Sequence, residues 1–192
     1  MFYIEITLLP TVEIPLNFLW NKMYAKIHLE FVTLQREQEI IPIGVSFPEY
    51  TLSPPSLGKK LRLFTQESQV LDNFIESNCL KIFSGYYHAT GIREVPEKLQ
   101  TYVAFRRVQP KNNKERLARR KARRQNISYE QALEQLKDFD QQSYSLPYII
   151  MKSTSSNKKF SLFIKKEEMN TQNTFKFSTY GLYKGGLVPD FN

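Results

Sequence analysis

The first eight residues constrain the fold most, because apolar and polar side chains alternate along them. In FYIEITL, residues 2–8, every second side chain from the phenylalanine onward is aliphatic or aromatic. A period of two predicts a β-strand with one buried face. The next segment, PLNFLWNKMYAKIHLEF at residues 15–31, spaces its apolar residues at helical intervals behind a proline that suits a first helical turn. The chain therefore begins with a strand that an amphipathic helix can cover.

Four further segments complete a recognisable order of elements. Residues 40–50 and 59–65 are rich in β-forming residues, residues 68–83 have helical spacing, and residues 101–109, TYVAFRRVQ, predict a strand. The order β-α-β-β-α-β is that of a ferredoxin-like domain. We therefore predict an α+β protein whose ferredoxin-like domain spans residues 1–109, with TYVAFRRVQ as its last strand.

From residue 110 the composition becomes basic and helical, and this shift predicts a second domain over residues 110–192. Ser128 with Gln131 three residues later predicts a capping box at the start of a short helix. Residues 146–167 predict a β-hairpin, and residues 175–191 predict a last strand with glycine turns. The second domain should thus combine an arginine-rich helix with a small sheet.

The segment NKERLARRKARRQ, residues 113–125, carries its arginines on one face. Asn112 and Glu115 form an asparagine version of the capping box, which predicts a helix beginning at Lys114. The arginines at helical positions i, i+3, i+4, i+7 and i+8 are Arg116, Arg119, Arg120, Arg123 and Arg124. The small apolar residues off this stripe are Leu117, Ala118 and Ala122. One face of the helix is therefore guanidinium and another suits packing.

This arginine stripe favours a polyanionic partner. Solvated helices usually interleave charges of opposite sign, whereas five like charges on one face repel one another until an anion neutralises them. The whole chain has 27 Lys and Arg against 19 Asp and Glu, a formal charge of +8, which also favours nucleic acid. A plain solvated face remains the alternative interpretation. The helix alone would indicate DNA, since the major groove of duplex DNA admits a helix and that of A-form RNA is narrow.

The residues able to do chemistry near neutral pH are few. His28 and His88 are the two histidines, and either could be structural. Cys79 is the single cysteine, so neither an intramolecular disulfide nor a zinc cluster of thiolates is expected, and the cytoplasm is the expected compartment. We expect no metal site, no cofactor and no membrane segment, and the loop STSSN at residues 153–157 is most simply a hairpin turn.

Four stretches resemble one family over the whole chain. They are IGVSFP at residues 43–48, the arginine pattern from Arg107 to Arg124, KSTS leading to FSLFI, and YGLYKGGLVP from Tyr180. Together they are similar to the CRISPR-associated repeat-cleaving endoribonuclease of type I-F systems. The resemblance implies that the arginine-rich helix lies in the major groove of a short RNA hairpin, and that the partners are this CRISPR repeat RNA and the other subunits of a crRNA-guided surveillance complex.

The resemblance also implies roles for individual residues. The catalytic histidine corresponds to His28, the active-site serine to Ser153, and the tyrosine that orients the histidine to Tyr180, while Ser155 stays open as an alternative serine. Base edges low in the stem would be read by Arg107 and Gln109, and the closing base pair would stack on Phe160. The groove-contacting arginines would be Arg119, Arg120, Arg123 and Arg124, with Arg116 on the same stripe.

The implied reaction is metal-independent cleavage at the 3′ base of the hairpin. The RNA's own 2′-hydroxyl would attack the adjacent phosphate, leaving a 2′,3′-cyclic phosphate on a product that stays bound. This mechanism needs a base, alignment and positive charge near the developing phosphorane. Two alternatives have the same binding residues: a catalytically inactive RNA-hairpin module and a DNA-binding regulator.

Overall fold

The computed structural model describes residues 1–38, 41–96, 101–109, 114–137, 145–154, 156–169 and 174–191. The helices are α1 (Leu16–Gln38), α2 (Ser68–Glu76), α3 (Lys114–Gln125) and α4 (Tyr129–Glu134), with a 3₁₀ turn at Lys81–Phe83. The strands are β1 (Phe2–Leu8), β2 (Gly44–Ser46), β3 (Thr51–Leu52), β4 (Pro55–Ser56), β5 (Lys60–Thr65), β6 (Tyr87–Ala89), β7 (Arg93–Glu94), β8 (Tyr102–Val108), β9 (Tyr148–Lys152), β10 (Lys159–Glu168) and β11 (Val188–Pro189). No described helix is long and apolar enough to cross a membrane. The α+β fold class is confirmed.

The first sheet has the strand order of a ferredoxin-like domain. It runs β2-β5-β1-β6, with β7 also paired to β1, and every pairing is antiparallel. Ile4, Ile6 and Leu8 of β1 are each only 1% exposed, which confirms the alternation predicted for residues 2–8. The apolar stripe of α1 is buried as well, including Met23, Tyr24 and Phe31.

The prediction for the last strand of this sheet was wrong. TYVAFRRVQ does form a strand, β8, but β8 lies in a second sheet of order β11-β8-β10-β9. The position beside β1 is taken by β6 and β7, whose residues are mostly exposed and lack an apolar alternation. Val103, Ala104 and Phe105 of β8 are consecutive and all buried, as expected for a strand covered on both faces.

Contacts divide the chain into two compact units. One comprises Met1–Val108 with Leu146–Asn192, and the other comprises Gln109–Ser145. The predicted boundary after residue 109 lies at the start of the smaller unit. The β9–β10 hairpin, predicted for the second domain, pairs with β8 through β10 and so belongs to the larger unit.

The smaller unit contains α3 and α4, which pack on each other. Ser128 accepts a hydrogen bond from the Gln131 backbone and the Gln131 side chain accepts one from Ser128 N, so the predicted capping box is confirmed. Helix α3 begins at Lys114 as predicted, while Asn112 of its proposed cap lies outside the described residues. Ala118 is fully buried, in keeping with its place off the arginine stripe.

At Gly181 the C-terminal segment packs closely on strand β2 and helix α1. Its φ is +66°, and an added Cβ would lie 2.4 Å from Val45 Cγ1 and 2.9 Å from Phe31 Cε2. Both the left-handed backbone and the missing side chain are therefore required here.

We expect Gly181→Ala to lower the free energy of unfolding by about 2–5 kcal/mol, through backbone strain and overpacking. Urea unfolding measures this change. Gly91→Ala is the matched control, because its Cβ would meet nothing within 4 Å. Equal unfolding midpoints for the two variants would contradict the assignment of strain to Gly181.

Candidate active site

Two side chains of α1, one turn apart, hold the backbone of the C-terminal segment. The Tyr24 hydroxyl donates to the Tyr180 carbonyl oxygen at 2.7 Å, and His28 Nδ1 is 2.7 Å from the Thr179 carbonyl oxygen. Residues at i and i+4 lie on the same face of a helix, so α1 presents both groups to two consecutive carbonyls. These contacts position residues 179 and 180 beside the histidine.

The aromatic ring of Tyr180 covers the imidazole of His28. The two ring centroids are 4.2 Å apart and the planes differ by 8°, which is a stacked arrangement. Tyr180 reaches this place through the turn at Gly181, whose carbonyl accepts from Val45 N at 2.9 Å and whose N–H donates to Ser178 O at 2.7 Å. The β2 strand thereby fixes the backbone that carries the tyrosine.

Arg107 joins Tyr180 to Phe160. Its guanidinium carbon is 5.4 Å from the ring centroid of Tyr180 and 5.3 Å from that of Phe160, both within cation–π range. Arg107 lies near the end of β8 and is exposed, and Phe160 lies on β10. Four predicted site residues therefore form one continuous series, Phe160–Arg107–Tyr180–His28.

His28 is chemically suited to act as a base. Burial lowers the pKa of its imidazole below the ordinary value; the Thr179 hydrogen bond opposes this shift and the charge of Arg107 adds to it. The ring is therefore neutral near pH 7. Because a carbonyl can only accept, Nδ1 carries the proton, and Nε2 is the nitrogen with the lone pair.

Ser153 lies in the turn that joins β9 to β10. Ser153 N donates to Lys158 O, and its carbonyl accepts from Asn157 N, each at 2.9 Å. The Ser153 hydroxyl oxygen also accepts from Ser156 N at 3.2 Å. Asn157 has a φ of 56°, the left-handed conformation that asparagine tolerates in a turn. The alternative serine, Ser155, lies outside the described residues.

The remaining predicted RNA contacts belong to the smaller unit. Arg119, Arg120, Arg123 and Arg124 of α3 are all exposed, and Arg119 pairs with Glu115 at 3.2 Å in an exposed i,i+4 ion pair. The Arg116 side chain lies outside the described part of the structure, and Gln109 is the first residue of the smaller unit. The exposed guanidinium groups on one face remain available to an anionic ligand.

Two supporting residues escaped the sequence analysis. Tyr24 lies on the apolar stripe of α1, and its hydroxyl nevertheless anchors Tyr180. Asn21 accepts a hydrogen bond from Ile150 N at 2.7 Å and so ties α1 to the β9 strand. The available signal was their spacing, since Asn21, Tyr24 and His28 lie at i, i+3 and i+7 of one helix. The described residues contain no cluster of three or more His, Cys, Asp or Glu arranged to hold a metal ion.

Comparison with known proteins decides the family. A family model described as CRISPR-associated protein (Cas_Csy4) matches residues 3–191. The chain belongs to the Cas_Csy4 family. A protein of Escherichia coli (strain UTI89 / UPEC) named CRISPR-associated endonuclease Cas6/Csy4 is 34% identical over 190 residues, covering 98% of each chain. A protein of the same name from Pseudomonas aeruginosa (strain UCBPP-PA14) is 32% identical over 190 residues, again covering 98% of each.

The family membership confirms the resemblance found in the sequence motifs. The roles of single residues in this Cas_Csy4 protein remain predictions. The geometry around His28 allows one of them to be tested by titration.

We expect His28 to titrate below its ordinary pKa of about 6.5 in the RNA-free protein. NMR titration in a His88→Ala background measures this directly, because His28 is then the sole imidazole. Adding Arg107→Gln should raise the pKa of His28, since a nearby positive charge is removed. Arg93→Gln, a change at an exposed arginine of β7, is the control. A pKa at or above 6.5 in the parent would contradict the predicted lowering of the His28 pKa.

Proposed function

We propose that this Cas_Csy4 protein is a metal-independent endoribonuclease that cuts CRISPR repeat RNA at the 3′ base of a hairpin and stays bound to the product. The observation that carries the proposal is the state of His28, a partly buried neutral imidazole with Nδ1 directed to the Thr179 carbonyl and Nε2 left as the basic nitrogen. The relatives' name, CRISPR-associated endonuclease, supports the reaction class. In the same proposal the protein acts in the cytoplasm with other subunits of a crRNA-guided surveillance complex.

In this mechanism His28 Nε2 takes the proton of the ribose 2′-hydroxyl. The 2′-oxygen forms a bond to the adjacent phosphorus while the bond from phosphorus to the 5′-oxygen breaks. The departing 5′-oxygen gains a proton from water, and the protonated His28 returns its own proton to the solvent. The products are a 2′,3′-cyclic phosphate and a 5′-hydroxyl. Tyr180 holds the imidazole plane by stacking, and the nearby Arg107 supplies positive charge toward the phosphorane.

Ser153 is the proposed partner of the hydroxyl or the phosphate. Ser153 directly follows the last residue of β9 and lies two residues after Met151, which pairs with Phe160. Phe160 is linked to His28 by consecutive contacts through Arg107 and Tyr180. That order of contacts supports a common site for Ser153 and His28.

The binding residues of the proposal surround this centre. Phe160 would stack on the closing base pair of the stem, and Arg107 with Gln109 would read base edges next to it. The groove contacts would come from α3, through Arg116, Arg119, Arg120, Arg123 and Arg124. Of these, the four whose side chains are described are exposed on one helix, as phosphate binding requires.

The wild type should cleave the hairpin of its CRISPR repeat in the presence of EDTA, giving a cyclic phosphate end. His28→Ala should slow single-turnover cleavage by about 10²–10⁴-fold with little change in affinity, because it removes only the general base. His88→Ala is the matched histidine control. Tight binding without cleavage by the wild type would instead indicate a catalytically inactive hairpin-binding subunit, and cleavage that requires a divalent cation would contradict metal independence.

Removal of arginines from α3 should act on binding rather than on chemistry. For Arg120→Gln with Arg124→Gln we expect the slope of log K against log salt to decrease by about 0.7–0.9 for each phosphate that is no longer neutralised, with bound RNA still cleaved. Arg93→Gln again controls for a general reduction in charge. Filter binding over a salt series gives both slopes. Tighter binding of the wild type to duplex DNA than to the RNA hairpin would favour a DNA-binding regulator.

A further inference from the structure

One face of the β9–β10 hairpin packs into the core, and the opposite face carries lysines and aromatic residues that make no contribution to that core. Side chains alternate along both strands, so that Ile149, Met151 and Leu162 are buried on one face. The opposite face, termed the outward hairpin face, carries three cross-strand pairs: Lys152 with Lys159, Ile150 with Ser161, and Tyr148 with Phe163.

The lysine pair on this face is unfavourable in the isolated protein. Lys152 and Lys159 are both exposed and lie directly opposite each other in the antiparallel ladder. Like charges in that relation destabilise a strand pair. Among the residues that the structure describes, no acidic side chain comes within 4.0 Å of either ammonium group. A bound anion would remove this repulsion.

An aromatic pair lies on the same face, four residues along the strands from the lysine pair. The ring centroids of Tyr148 and Phe163 are 5.2 Å apart, and Tyr148 remains 53% exposed. At about 3.3 Å per residue, the aromatic pair is about 13 Å from the lysine pair along the strand. Positive charge on the same face as an exposed aromatic ring is a combination that holds single-stranded nucleic acid, whose phosphates pair with the cations while its bases stack.

We propose that the outward hairpin face binds single-stranded RNA, namely the nucleotides that precede the hairpin on its 5′ side. The inference rests on the proposed function, which places the base of the stem at Phe160 on the other face of the same strands. The pair Lys152–Lys159 lies next to Ser153 in the hairpin. An RNA strand that leaves the base of the stem would therefore reach these lysines first. The 5′ strand stays attached to the retained product after cleavage, whereas binding the 3′ strand would oppose its release.

The test compares three RNAs, each with a 2′-deoxy nucleotide before the cleavage site so that none is cut. They are the repeat hairpin alone, the hairpin with a single-stranded 5′ extension, and the hairpin with a 3′ extension. For the wild type, we expect the 5′ extension to tighten binding about tenfold and the 3′ extension to add little. Lys152→Gln with Lys159→Gln should abolish this gain and reduce the salt slope for the extended RNA by about 1.4, the value for two single-strand contacts. Tyr148→Ala should also reduce the gain.

The control variant is Lys59→Gln with Lys81→Gln, which removes the same charge from two exposed lysines elsewhere in the larger unit. It should retain the gain, and all variants should bind the unextended hairpin equally. Equal binding of the extended RNA by the wild type and the lysine variant would overturn the inference and indicate a protein partner for this face. A gain confined to the 3′ extension would overturn the choice of strand. Failure of the wild type to bind the hairpin alone would instead count against the proposed function.

Discussion

The hydrogen bond between His28 Nδ1 and the Thr179 carbonyl is the interaction on which the proposed chemistry depends. It joins the first helix to a segment 151 residues away and decides which imidazole nitrogen is basic. Tyr24 makes the same kind of bond to the next carbonyl, so the contact is reinforced one helical turn earlier. The imidazole of His28 is therefore held by two packed elements, which limits the positions it can adopt.

Much of this arrangement could be predicted from local patterns. The strand at residues 2–8, the helix bearing His28, the start of α3 at Lys114 and the capping box at Ser128 each follow from periodicity or capping within a few residues. The assignment of Arg107, Phe160 and Tyr180 came from the family resemblance, and local patterns alone offered no reason to join them. Their contacts depend on the pairing of β8 with β10 and on the turn at Gly181, both long-range features.

The error over the last strand has the same physical origin. TYVAFRRVQ has the stronger β pattern, whereas β6 and β7 are short and mostly exposed, so a prediction from local patterns prefers the former beside β1. Burial on both faces decides which sheet β8 joins. The strand lies between β10 and β11 and contributes three consecutive buried residues. This placement also builds the proposed site, because it brings Arg107 next to Phe160 and Tyr180.

In the proposed mechanism, the electrostatics of the site link RNA binding to catalysis. In the free protein, burial and the charge of Arg107 both keep the pKa of His28 low, which secures a neutral base but a weak one. A phosphate beside Arg107 would offset its charge and raise the pKa of His28 toward neutrality, where a general base accepts a proton more strongly while remaining largely unprotonated. Binding of the RNA would then make His28 a stronger base for the reaction on that RNA. Arg107 would thus contribute to the reaction by responding to the substrate's charge, in addition to contacting it.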